Sequence, residues 1–466
     1  MYEGFAEFAL KYLQKKEVGY GEVRLEEHEG SHFTLKNSTP EVVGFDNSVG
    51  MALRFLLNNS MGFVSINKFT KNDIKNAIDK SIKLVKKSQT ISENISLSEE
   101  KTNKKTYKVK QKLNFKDVSP EEKLILLKDV DKSVNDILGR YFSYHDDICK
   151  KYFINTDGTR IKSEIPRGEF MYFITVKEGN KSGQKHWQFC NSGGFERIKN
   201  KNIPKLILQE VNDIKTNLRE AKKPPKGKLD VVLGSEVTGI AVHESVGHPF
   251  EADRIFGREA AQAGESFIGP EMIGKQIGSD CVTVVDDPTL KYSAGYYDYD
   301  DEGVKARRRF LIKDGKINEF LHNRETATKM GLKSNGAARA ENYDKEAIVR
   351  MANTFLLPGK YSEKELIEGV KYGVFIKDYT EWNINDTRYQ MKYVGGNAFL
   401  IKNGKLSYPV FKPALEITTP TLWSSIDAVG KNLEYGTGTC GKGDPMQGVP
   451  AFLGGPSVRL RGITLS

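Results

Sequence analysis

One run, Val231 to Asp253, constrains this chain more than any other. It opens as an apolar, strand-like segment that reaches Leu233. A helix-like stretch follows and ends in His243-Glu-Ser-Val-Gly-His248-Pro. Neutral imidazoles are good zinc ligands, and a carboxylate beside a metal-activated water can act as general base. His243, His248 and Glu244 are therefore candidate site residues. Zinc peptidases commonly carry their two histidines four residues apart, on one helix face. Here they are five apart. At about 100° per residue, five residues of α-helix leave the two rings roughly 140° apart. A π-bulge would bring them back onto one face; Gly247 makes such a distortion cheaper and Pro249 ends the helix. A histidine at a helix end can also simply interact with the helix dipole, so spacing alone leaves the metal reading open.

With 466 residues the chain is too long for one ordinary core, and two or three domains are expected. Hydrophobic residues make up 38%, which suits a soluble globular protein, and no apolar run approaches the length of a membrane span. The start, Met1 to Leu13, is amphipathic and has no basic region ahead of an apolar one, so the expected location is cytoplasmic. Cys149, Cys190, Cys281 and Cys440 are scattered and do not form a disulfide framework. The net charge of +10 raises nucleic acid as a partner. However, 61 acidic residues are interspersed with 71 basic ones, so a mixed surface is the better reading. Neither a nucleic-acid nor a membrane partner is expected.

Along the chain, Tyr2 to Lys15 reads as a helix, followed by strands at Val23–Leu25 and His32–Lys36 and more strand-like sequence to Ser65. Thr70 to Lys87 is an amphipathic helix, and the polar, lysine-rich stretch from Ser88 to Gln111 reads as a flexible surface connection. Ser119-Pro-Glu-Glu122 has the chemistry of a capped helix start. Strands follow at Tyr141–Ile148, Lys151–Asn155 and Arg160–Glu164, with His145 and His186 read as structural or surface residues. Ile203 to Arg219 is a further amphipathic helix. Residues 221–228 hold two prolines in a basic, apolar-poor segment and read as a linker. It divides an N-terminal α+β domain, residues 1–222, with a mixed sheet and helices, from a C-terminal domain, residues 228–466. The latter is expected to be mainly antiparallel β, curved or barrel-like, and to carry the histidine helix. Asp314-Gly315 and Asn403-Gly404 mark two hairpins there.

A catalytic zinc usually takes three protein ligands and keeps one position for water. Glu251, Asp253, Asp286, Asp287, His322 and the cysteines are the candidates for the third. Cys440 stands apart because Gly436, Gly438, Gly441, Gly443 and Gly448 surround it and let a backbone approach closely. A buried, inert thiol is the competing reading.

At this point the sequence resembles the TldD/PmbA family of metallopeptidases, also called modulators of DNA gyrase. The resemblance rests on Leu233-Gly234, His243 to Asp253, Val282 to Pro288, Tyr299-Asp-Asp-Glu-Gly303, Ser334-Asn-Gly336 and Arg350-Met-Ala-Asn-Thr354. It continues through Leu357-Pro-Gly359, Cys440-Gly-Lys442, Gln447-Gly-Val-Pro450 and Gly455-Pro-Ser. In the N-terminal half, Val49 to Arg54 and Gly62-Phe-Val match more loosely. The resemblance implies a zinc peptidase of the catalytic TldD type, since the PmbA (TldE) type lacks the metal motif. It implies His243, His248 and Cys440 as metal ligands and Glu244 as the catalytic glutamate. It further implies short or unfolded peptides as substrates, held in a closed chamber formed by a dimer. That dimer would be a homodimer, or a heterodimer with a metal-free PmbA/TldE-like relative. Pro249 stands where the family has a small residue, and Tyr379 to Val394 diverges from a segment that is often glycine-rich. A reading of a different class is a non-catalytic, metal-stabilised partner of proteins or nucleic acids.

Overall fold

A computed structural model describes residues 2–89, 93–258 and 265–465. The first half is built on one seven-stranded sheet. Its strands are β1 (Tyr20–Lys36), β2 (Thr39–Leu57), β3 (Ser60–Ile66), β4 (Lys104–Lys108), β5 (Gly139–Asn155), β6 (Arg160–Glu178) and β7 (Lys181–Ser192). The order is β3-β2-β1-β5-β6, after which β6 pairs β4 at one end and β7 at the other.

Side chains alternate across a strand, and the two faces of this sheet differ. On β1, Val23, Leu25, Phe33 and Leu35 face helices. Val23 and Leu25 join the core under helices Glu3–Gln14 and Lys71–Ser88, and Phe33 and Leu35 join a second core under helices Pro120–Ser133 and Ile203–Glu220. The intervening residues Glu22, Arg24, Glu26 and His28 form a charged opposite face, of which the first three are buried. That face meets the second half of the chain. Arg24 donates to the carbonyls of Asn342 and Lys345, Arg54 pairs with Glu302 at 2.6 Å, and Lys151 pairs with Asp301 at 2.8 Å.

Two readings of this half change. The expected separate strands at 23–25 and 32–36 are one 17-residue strand, as are those at 141–148 and 151–155. Their charged middles pack against protein rather than ending the strand. The expected flexible connection at 88–111 contains β4, which pairs parallel with Arg160–Glu164; residues 90–92 of that stretch lie outside the described residues. The capped start at Ser119 forms as read, with Ser119 Oγ and Glu122 exchanging bonds with each other's backbone N–H.

The second half holds a nine-stranded, a six-stranded and a small two-stranded sheet, curled and mainly antiparallel, so the whole is an α+β fold. Strand Gly227–Leu233 lies inside the larger sheet, parallel to Tyr372–Ile376. At its end Gly234 passes so close to the carbonyl of Lys377 that a Cβ would sit 2.2 Å from it. Helix Ser235–Val242 then runs against the six-stranded sheet, and a Cβ on Gly239 would stand 3.1 Å from the carbonyl oxygen of Leu453. The largest apolar core of the molecule encloses this helix. Among the described residues, no helix is long and apolar enough to cross a membrane.

Candidate metal centre

Helix Ser235–Val242 continues into a π-helical turn, His243–Gly247, and then a 3-10 turn, His248–Phe250. The backbone N–H of His248 bonds to the carbonyl of His243, five residues back. This wider turn offsets the rotation that would splay the rings, whose centroids stand 5.0 Å apart. Packing helps to fix it. A Cβ on Gly247 would lie 1.8 Å from Met351 Sδ, so a larger residue would force the turn away from its neighbour. Trp423 Nε1 donates to Ser245 Oγ at 3.0 Å inside the same turn.

Cys440 arrives on strand Glu434–Lys442, the outer strand of the six-stranded sheet. Its Sγ lies 3.4 Å from His248 Nε2. One ligand atom from each of His243, His248 and Cys440 falls within 4.8 Å of the others, and all three residues are buried. Arg350, fully buried, donates to the carbonyls of Cys440 and Gln447 and so holds both strands of the hairpin. Burial pushes the Cys440 thiol up, but His248, Arg350 and His243 outweigh it and hold the thiol well below its ordinary value. The thiolate is the form that binds metal. Burial acts to lower His248, whereas Cys440 and Glu251 prevail and push it up to about 9.

His248 turns its other nitrogen, Nδ1, to Glu251 Oε2 at 3.0 Å, which fixes the ring and leaves Nε2 facing the thiol. Glu251 is itself held by Lys442 at 3.2 Å. Two imidazoles and a thiolate are a donor set suited to a zinc-type cation. His243 Nδ1 has no hydrogen-bond partner among the described residues, an orphaned buried atom that a ligand would satisfy. These residues fit a metal.

The other candidates for a third ligand are engaged elsewhere. Glu251 lies behind His248, and Asp253 bonds to Lys442 at 2.6 Å. Asp286 pairs with Arg309, Asp287 with Arg308, and His322 Nδ1 contacts Thr326 Oγ1 at 3.2 Å. Cys149 stands beside His28, Cys190 is buried, and Cys281 is exposed beside Ser279. His145 is less isolated than its sequence implies, with its ring 5.9 Å from that of His32.

Glu244 is buried next to His243, and its Oε2 accepts from Arg388 Nη1 at 2.5 Å. Sequence reasoning missed Arg388. It occupies a left-handed conformation, φ 65°, in the turn between strands Tyr379–Ile384 and Gln390–Gly395. Its only sequence signal is that it lies in the segment diverging from the family's glycine-rich pattern.

A helix with a π-turn, a histidine pair and a cysteine-bearing hairpin together make a candidate metal-binding protein. The chain belongs to the PmbA/TldD family of metallopeptidases. Models of its C-terminal domain, domain 1 and central domain match residues 226–466, 21–85 and 113–212. A metalloprotease of Methanocaldococcus jannaschii is 36% identical over 449 residues, covering 95% of this chain and 96% of that protein. A protein of Saccharolobus solfataricus named as a zinc metalloprotease TldD homolog is 24% identical over 470 residues, 97% and 98% of the two chains. Among solved structures, TldE of Thermococcus kodakarensis superposes with a TM-score of 0.75 at 16% identity, covering 100% of this chain and 99% of that one. A Thermotoga maritima protein superposes with a TM-score of 0.80 at 18% identity, over the full length of both chains. These structural likenesses establish the fold.

Proposed function

We propose that this chain is a zinc-dependent peptidase for short or unfolded peptides, with His243, His248 and Cys440 as metal ligands and Glu244 as general base. The observation that carries the reading is the convergence of two imidazoles and a thiol within 4.8 Å, from a π-turn and a distant hairpin, beside a buried carboxylate. The name of the Saccharolobus relative supports zinc.

A zinc ion bound there supplies Lewis acidity, polarising a scissile carbonyl and acidifying water. Glu251 keeps His248 in the tautomer that offers Nε2. Glu244 takes the proton from the attacking water and hands it to the leaving amine. Arg388 holds the second oxygen of Glu244, so that the carboxylate is oriented before substrate arrives. The buried setting of all four residues supports thin, extended substrates over folded proteins.

Three donors rather than four among the described residues favour catalysis over a purely structural ion, since structural zinc is usually closed by four protein ligands. We infer, from what the family resemblance implies, assembly as a dimer, either of this chain with itself or with a metal-free PmbA/TldE-like relative, in the cytoplasm. The test is incubation of purified chain with a mixed peptide pool, with and without chelator, read by mass spectrometry. Cleavage that chelator stops and zinc restores is the expected result. No cleavage by zinc-replete protein, combined with DNA binding that weakens steeply with salt, would favour the non-catalytic reading.

A further inference from the structure

The charged face of the seven-stranded sheet carries a second cluster with the donors of a metal centre. β1 and β5 pair so that His28 stands opposite Cys149, Glu26 opposite Lys151 and Gly30 opposite Asp147. Alternate residues of paired strands share a face, so Glu26, His28, Cys149 and Asp147 project together. His28 Nε2 lies 3.7 Å from Cys149 Sγ and 3.3 Å from Glu26 Oε2. One ligand atom from each of the three falls within 4.8 Å of the others. His28 Nδ1 meets Asp147 Oδ2 at 3.0 Å. The arrangement repeats that of His248, whose Nε2 faces a thiol while Nδ1 rests on a carboxylate.

From this geometry we propose that Glu26, His28 and Cys149 form a second binding site for a zinc-type divalent cation, oriented by Asp147. Burial and access both fit. Glu26 is fully buried and Cys149 is 4% exposed, while the His28 side chain is 20% exposed. His28 and Cys149 line a cavity of about 290 Å³ between the halves of the chain. Lys151, Arg339 and Thr439 also line it, and Thr439 precedes Cys440 on the hairpin of the first centre. The site is thus sheltered yet has an entry path.

Charge points the same way. Glu26 Oε1 is taken by Arg24 at 2.6 Å and Lys151 at 3.4 Å, which leaves Oε2 for a ligand. A catalytic Cys149–His28–Asp147 triad would share two of these contacts. It gives no role to Glu26, whose carboxylate on the same nitrogen would repel a forming thiolate. A cation between them turns that repulsion into coordination.

The site is independent of the His243/His248/Cys440 reading, and the test separates them. Full-length protein is stripped of metal and titrated with cobalt(II) alone, then desalted and assayed for cobalt. Thiolate-to-cobalt charge transfer is read in the near ultraviolet. Cys440→Ser removes the thiolate of the first centre, so any charge-transfer band that remains comes from another cysteine, and its loss with Cys149 assigns it to Cys149. The expected result is one retained cobalt per chain with that band in Cys440→Ser, and loss of both in Cys440→Ser/Cys149→Ser. Asp147→Asn in the Cys440→Ser background should keep the band but weaken binding about 10–100-fold. If the double variant misfolds by circular dichroism, Cys440→Ser/His28→Asn takes its place. A Cys440→Ser protein that shows no thiolate band at saturating cobalt overturns the proposal, as does a band that survives loss of Cys149. Failure of the first centre alone would instead appear as unchanged spectra between wild type and Cys440→Ser.

Discussion

Arg388 Nη1 donates to Glu244 Oε2 at 2.5 Å, across 144 residues of sequence, and both side chains are buried. The arginine is fixed in turn, since its backbone carbonyl accepts from Thr419 Oγ1 at 2.7 Å. A carboxylate held at one oxygen presents the other in a set direction, and small misplacements of reacting groups are costly. Arg388→Met should therefore lower kcat/KM by about 10²-fold while zinc content stays unchanged. Arg388→Lys, which keeps charge but not the fork, should recover only part. Normal turnover in Arg388→Met, with zinc measured in the same samples, would remove the arginine from the reaction.

In the proposed centre, Cys440 is the one donor that does not come from the helical segment carrying His243 and His248. Its replacement by serine removes a thiolate from a buried site and leaves two imidazoles. In a Cys149→Ser background, which removes the second proposed site, zinc bound after extensive dialysis, measured by elemental analysis, should fall at least tenfold when Cys440→Ser is added, an order-of-magnitude expectation for loss of one of three ligands. Unchanged zinc on adding Cys440→Ser to that background would place the third ligand elsewhere.

Lys442 lies two residues further along the same strand, wholly buried, with Nζ 2.6 Å from Asp253 and 3.2 Å from Glu251 and donating to the carbonyl of Val349 at 2.8 Å. Removing the ammonium takes the ion-pair partner from Asp253 and one of three cationic neighbours from Glu251, which keeps His248 and Arg254. Lys442→Met should cost about 3–5 kcal/mol of unfolding free energy in urea titrations. It should also weaken zinc binding, because Glu251 orients His248. Stability within 1 kcal/mol of wild type would show that the carboxylates find other partners.

His322 gives a pH signature of the fold that is separate from the metal. Burial pushes its pKa down to about 4 against an ordinary value near 6.5. A depressed histidine stays neutral in the folded chain while the unfolded chain takes up a proton. Its contribution is thus fully present above pH 6.5 and is lost as pH falls toward 4, by about 3 kcal/mol at most. Urea titrations of wild type and His322→Gln across pH 4–7 should show a shallower fall in the variant. Parallel curves would mean that His322 titrates alike in both states.

Much of the centre was legible because its chemistry is local. His243, Glu244, Gly247 and His248 fall within six residues, and the π-turn that five-residue spacing would need to align the rings is present at His243–Gly247. Cys440 was visible through its glycines, although only folding brings it across 192 residues. Arg388 was not legible, since a surface-like turn residue becomes a buried partner only once two strands bend over Glu244. The charged middles of β1 and β5 were read as breaks for a related reason. Glu26, His28 and Lys151 look like solvent residues until the second half of the chain packs on them. Strand continuity there depends on tertiary partners that local patterning does not report.

The central claim is that Glu244 moves the proton while His243, His248 and Cys440 hold the metal. It is tested most directly by comparing Glu244→Gln with wild type at matched zinc occupancy, using a peptide that the wild type cleaves. The account predicts one zinc retained in this centre and hydrolysis reduced by at least about 10²–10⁴-fold. Turnover near the wild-type rate in a zinc-loaded Glu244→Gln enzyme would contradict it.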